Sequence, residues 1–124
     1  MEKYILRIAG REIPLRYTMR ELADMEEAIG TMDNFKDLIL KGRNRLRNMV
    51  KAIRIMGNSG LEKAGQAADL TDEWLLEHMN PQKLKGYQII LLGAFTDGFR
   101  MDNENEEERD LVLEEIERKK NEGN

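Results

Sequence analysis

Hydrophobic and polar positions alternate along the first seventeen residues, then switch to spacings of three and four. Tyr4, Leu6 and Ile8 alternate with Ile5 and Arg7, and Ile13, Leu15 and Tyr17 alternate with Pro14 and Arg16. A period of two predicts strands over 4–8 and 12–17. Gly10 can supply the positive φ of a tight hairpin turn. Pro14 cannot donate a ladder hydrogen bond, which predicts an edge position. A lone hairpin is marginal in water, so helices must cover one of its faces.

The helical spacing starts at Thr18, an N-cap residue whose capping box Glu21 completes. Leu22, Met25 and Ile29 share one face, and Gly30 suits the C′ position. A short helix is expected over 34–40, with Phe35, Leu38 and Ile39 inward and Gly42 as the interruption. Leu46, Met49, Val50, Ile53 and Met56 then predict an amphipathic helix over 44–56, ending at Gly57. Ser59 and Glu62 read as a second capping box, opening a short helix through Ala68. Thr71 restarts the chain as an N-cap followed by acids, with Trp74, Leu75, Leu76 and Met79 as apolar bulk. Pro81 marks a last helix start. From Leu84 to Phe95 the apolar pattern is broad enough to make 81–99 the expected central helix. A buried strand over 88–95 competes, but Pro81 and the length of the pattern favour helix.

These elements predict an α+β, mainly α fold: an N-terminal β-hairpin packed on five to six helices. Residues 1–100 form the expected single globular domain, and 101–124 an acidic C-terminal tail. The charge distribution supports that division. Residues 1–100 carry 16 basic and 14 acidic side chains, whereas 101–124 carry 4 and 10. Leu111, Val112, Leu113 and Ile116 lie among the tail's charges. That stretch reads as a lone helix, a docked helix, or a segment disordered until bound.

Little catalytic chemistry is legible. The chain has no Cys and one His, which removes thiolate chemistry and any His-pair metal site. His78, near the end of a short helix, reads as structural or exposed. Gly60 and Gly65 have phosphate-loop spacing, but Gln66-Ala67 stands where Lys-Ser/Thr is required. A calcium loop from Asp102 would need Gly at 107 and Glu at 113, where Glu and Leu stand. Adjacent carboxylates such as Glu26-Glu27 diverge on a helix. No metal, cofactor or catalytic residue is expected, and no apolar run reaches the length of a membrane span. A soluble intracellular protein is the resulting expectation.

One signal competes with a purely structural reading. Arg43, Arg47, Lys51 and Arg54 are spaced by four, four and three, within a run that meets no acid between Asp37 and Glu62. Such a stripe suits a solvated face, an acidic protein partner or a phosphate backbone. It lacks interleaved aromatics, and the rest of the body is not basic. Met49 and Met56 lie on the same helix, and Met-rich faces suit plastic binding surfaces. These six residues are the partner-binding candidates.

The order of the elements resembles the tail assembly chaperones of long-tailed bacteriophages and prophages. The likeness is carried by Leu15-Arg16-Tyr17-Thr18, by Leu22-Ala23-Asp24-Met25-Glu26-Glu27-Ala28-Ile29-Gly30, by the short and long helices at 34–40 and 44–56, and by Leu70 to Leu75 followed by Pro81 to Phe99. It covers residues 4 to about 100. The acidic tail and the Arg density at 43–54 stand outside it. The resemblance implies a non-catalytic protein of the host cytoplasm, absent from the finished virion. Such proteins bind the tape measure protein, keep it soluble and help recruit tail tube subunits; self-association is compatible with this. The alternative reading is a small helical nucleic-acid-binding regulator using the basic stripe at 43–54.

Overall fold

Two short strands open the chain, β1 (Ile5–Ile8) and β2 (Arg11–Pro14), paired antiparallel with Leu6 opposite Ile13. Ala9 and Gly10 both have positive φ, 52° and 77°, the signature of a two-residue type I′ turn. The structure is a computed structural model that describes residues 4–102, with side chains through Asp97. The acidic tail expected at 101–124 lies outside the described residues, except that positions 101 and 102 complete the last helix.

β2 is shorter than the expected 12–17. Beyond Pro14 the Leu15 amide still donates to the Tyr4 carbonyl at 2.8 Å, but the Arg16 amide donates to the Met56 carbonyl at 3.1 Å. The chain thus leaves the ladder for a helix. Pro14, the last residue of β2, stands opposite Ile5 in a non-hydrogen-bonded pair, where its missing N–H costs the ladder nothing.

Five α-helices follow among the described residues: α1 (Met19–Ala28), α2 (Phe35–Leu40), α3 (Arg45–Lys63), α4 (Asp72–His78) and α5 (Leu84–Asp102). With the hairpin they give the mainly helical α+β fold that the periodicities predict. The caps explain most boundaries. The Glu21 carboxylate accepts the Thr18 amide at 2.6 Å and also the Thr18 hydroxyl. Gly30 follows α1 with φ of 142° and Gly42 follows α2 with φ of 88°. Thr71 Oγ1 accepts the Trp74 amide at 3.0 Å. Pro81 opens a single 3-10 turn, Pro81–Lys83, which runs into α5.

The expected break at Gly57 does not occur. α3 continues through Gly57 and Gly60 to Lys63, and Ser59 lies inside it. Both glycines are close-approach positions. A Cβ on Gly60 would stand 1.8 Å from the Pro14 carbonyl oxygen. A Cβ on Gly57 would stand 2.7 Å from Leu70 Cδ1 and 2.8 Å from Ile13 Cγ2. The two glycines, one turn apart, let β2 lie directly on the helix. The helix ends at Gly65, φ 74°. There the Gln66 amide reaches the Leu61 carbonyl at 2.8 Å and the Gly65 amide reaches Glu62 at 3.0 Å, a Schellman motif. No helix forms over 64–68. Asn58 holds the return segment instead. Its Oδ1 accepts the Leu70 amide at 2.9 Å, and its Nδ2 donates to the Leu70 carbonyl at 3.1 Å.

α3, rather than α5, is the central helix. Met49, Val50, Ala52, Ile53, Met56, Gly57, Gly60 and Leu61 of α3 are all buried. Within the described part of α5, only Tyr87, Leu91 and Ala94 are. The apolar side chains of α5 are spread around its axis, so part of them faces water; Ile89 is 64% exposed. The inward face of α5 closes an aromatic cluster, with Phe95 stacked on Phe35 at 4.3 Å and tilted against Tyr17 at 4.9 Å. Tyr4 lies over Gly93, where a Cβ would meet its ring at 2.6 Å, and its hydroxyl donates to Asp97.

The hairpin tip is fixed separately. Arg11 donates to the Ala67 carbonyl at 2.8 Å and to Asp69 Oδ1 at 2.7 Å, and its guanidinium lies 5.7 Å from the Trp74 ring centre. The Arg11 hydrogen bond holds the Asp69 carboxyl below its ordinary value of 3.8, against a smaller opposing effect of desolvation. A lowered folded pKa stabilises the fold above the unfolded value, and this contribution disappears as pH falls through the folded one. In Arg11→Leu the Asp69 titration, followed by carboxyl carbon NMR, should return towards 3.8. An Asp69 titration unchanged by the substitution would show that the pair does not form in solution.

Candidate functional site

The basic stripe sits on the N-terminal half of α3. Amphipathic spacing turns Met49, Val50, Ile53 and Met56 inward and leaves the positions between them outward. Arg47 is exposed, and Lys51 and Arg54 are half-buried. Arg43 is also exposed but precedes the helix, in the turn after Gly42. Three of the four expected stripe residues therefore share the helix, and Arg45 joins them at its first position.

The stripe is not uniformly free of acid. Arg54 Nε donates to Asp72 Oδ1 at 2.7 Å, linking α3 to the first turn of α4. Lys41 lies 3.7 Å from Asp37. Among the described residues no ion pair reaches Arg43, Arg45, Arg47 or Lys51. The available cations are thus concentrated at the start of α3. That end of the helix has no acid in its first turn, and the side chain of its N-cap, Asn44, makes no capping bond. Cations at a helix N-terminus are placed against the helix dipole. The nearby Asn48 side chain is occupied, donating to the Leu38 carbonyl at 2.9 Å.

Met49 and Met56 correct the sequence-based assignment. They are 2% and 0% exposed and pack in the core, so they present no surface to a partner. Spacing places them on the apolar face of α3, and this face is covered by the rest of the fold. Among the described residues, the exposed large apolar side chains are Ile5, Met19, Leu46, Leu76 and Ile89. Of these, Leu46 lies between the stripe residues Arg45 and Arg47.

Arg54 also lines a cleft of about 520 Å³ between the start of α1 and the second half of α3. Sequence spacing gave no sign of it, because it joins segments some forty residues apart. Arg16, Arg20 and Lys63 contribute positive charge, and Asp24 and Glu62 negative charge. Thr18 and Glu21, also on its wall, are already engaged in the cap. A wall of alternating sign does not select an anion or a cation.

His78 lies outside both regions. Its Nδ1–H donates to the Trp74 carbonyl at 2.8 Å, and its ring stacks on Trp74 with centres 4.5 Å apart. Among the described residues, no three His, Cys, Asp or Glu side chains stand close enough to hold a metal ion. No helix among them is long and apolar enough to cross a membrane. Comparison with protein-family models, curated proteins and solved structures finds no match for this chain.

Proposed function

We propose that this protein is a non-catalytic tail assembly chaperone that binds the tape measure protein and assists tail tube assembly in a bacterial cytoplasm. The observation that carries this reading is the order of elements and their signature residues. A hairpin runs through Leu15-Arg16-Tyr17 into a Thr18-capped helix ending in Glu26-Glu27-Ala28-Ile29-Gly30. A short helix, a long apolar helix, the Leu70-to-Leu75 segment and a final apolar helix follow in the order that the resemblance implies.

Surface character supports a protein partner. Met19, Leu46, Leu76 and Ile89 are exposed apolar side chains on four different helices, and scattered apolar positions among charges suit contact with a long amphipathic helix. The available cations at Arg43, Arg47 and Lys51 suit acidic stretches of such a partner.

Co-expression with a tape measure protein, a long and largely helical chain, tests the proposal. The partner should become soluble and co-purify with this chain. Arg43, Arg47 and Lys51→Glu should weaken that complex without unfolding the protein, because none of the three is in an ion pair among the described residues; Arg54 is left intact for its contact with Asp72. A nucleic-acid regulator makes a different prediction. It should bind a defined duplex at about 10⁻⁸ M or tighter near physiological salt, and the reversed variant should lose that binding. Such a complex in the parent, with no co-purifying helical protein, would overturn the chaperone reading.

A further inference from the structure

We propose that the acid-rich stretch 104–117 of this chain docks back onto the basic N-terminal end of α3, covering Arg43, Arg45, Arg47 and Lys51. The inference goes beyond the chaperone reading and does not depend on it.

The docking surface is defined by charge that the described fold leaves unbalanced. Lys41 and Arg54 flank the cluster and each has a carboxylate partner, whereas the four cations between them have none among the described residues. They surround a helix start without a first-turn acid or side-chain cap, so helix dipole and side chains add to the same positive potential. Leu46, 42% exposed, supplies an apolar contact in the middle of the cluster.

The occupant has the complementary composition. Between 104 and 117 the chain carries eight acids (Glu104, Glu106, Glu107, Glu108, Asp110, Glu114, Glu115 and Glu117) against a single base, Arg109. Leu111, Val112, Leu113 and Ile116 lie among them, giving apolar side chains to set against Leu46. The mixed-sign cleft beside α1 offers no such match.

Connectivity permits the return. Gln88 of α5 donates to the Ile39 carbonyl at 3.4 Å, and Asn48 of α3 donates to the adjacent Leu38 carbonyl. The early turns of α5 therefore lie beside the start of α3. From Gln88 to Asp102 the helix rises about 21 Å. A chain can span up to about 3.4 Å per residue, so the six residues after Asp102 are long enough to cover that height and 109–117 are within reach of the cluster. Tethering keeps the acids at an effective concentration of about a millimolar, enough for a weak charged contact to persist.

Because the chain contains no Cys, Asn121→Cys gives a single site for a nitroxide spin label in the full-length protein, with no charge altered. Paramagnetic broadening of amides should concentrate at 43–51. It should fall at least about threefold when salt rises from about 20 mM to about 500 mM, as screening shortens the range of the attraction. Asp110→Asn with Glu114, Glu115 and Glu117→Gln should reduce it similarly and should tighten binding of a poly-glutamate probe to α3. Broadening confined to the end of α5, spread evenly over the surface, or centred on Arg16 and Arg20 overturns the proposal. So does broadening at 43–51 that arises only between a labelled copy and a separate unlabelled copy, which would make a second molecule the occupant. The salt series alone decides the question if the Gln variant does not fold.

Discussion

Gly60→Ala is expected to lower the melting temperature by more than about 10 °C, at about 4–8 °C per kcal/mol for a domain of this size. The added methyl would sit 1.8 Å from the Pro14 carbonyl oxygen and 2.6 Å from its carbon. Those are backbone atoms, so no rotamer change relieves the clash. Either the helix moves off the hairpin or Pro14 leaves β2. Overpacking of this kind costs about 3 kcal/mol or more. Gly86→Ala provides the opposite result in the same background. Gly86 lies in α5 with nothing within 4 Å of its Cβ position, so alanine should stabilise by about 0.5–1 kcal/mol through helix propensity. Thermal unfolding of both variants checks the pair. A Gly60→Ala protein that melts with its parent would mean that β2 does not rest on α3.

The second large effect is expected at Phe35. Its side chain is 1% exposed and stacks on Phe95, which in turn meets Tyr17. Three segments distant in sequence (the β2–α1 junction, α2 and α5) thus share one aromatic cluster. Phe35→Ala should cost about 3–5 kcal/mol through lost burial and a cavity, and a further part of that loss reflects ring–ring contact of about 0.5–1.5 kcal/mol. A double-mutant cycle with Phe95→Ala isolates the contact, and a coupling energy of about 1 kcal/mol is expected. Strict additivity of the two substitutions would place the rings in separate environments and detach α5 from α2.

Local signals in the sequence were sufficient wherever local chemistry decides the outcome. The Thr18–Glu21 box, Gly30, Gly42, Thr71 and Pro81 each mark a boundary that the fold keeps, because each acts within one turn of itself. Gly57 and Gly60 mislead for the complementary reason. Read along the chain, a glycine after an apolar run signals a stop. In the fold, the nearest neighbours of these glycines are Ile13 and Pro14 from β2 and Leu70 from the return segment. Only tertiary packing reveals that the missing side chains are needed for contact. Met49 and Met56 follow the same logic. Their spacing correctly puts them on one face of α3, but spacing does not say whether the rest of the chain covers that face. The stripe was visible as a pattern of four. The Asp72 that neutralises its last member and the turn that sets Arg43 off the helix were not, since both follow from how α3 meets its neighbours.

The seam between β2 and α3 also sets an order of events during synthesis. The hairpin leaves the ribosome before α3, because the helix turn that receives Pro14 is encoded 46 residues later. At about 5–20 residues per second, the apolar face formed by Leu6, Ile8 and Ile13 waits about 2–9 seconds for its partner. A two-stranded ribbon with two open edges is vulnerable to pairing with other chains over that interval. Arg7, Arg11 and Glu12, together with the donor-free Pro14, place charge and a missing hydrogen bond along those edges. Pro14 therefore serves twice: its missing donor guards the edge of the nascent ribbon, and its carbonyl later lies against Gly60 of the helix.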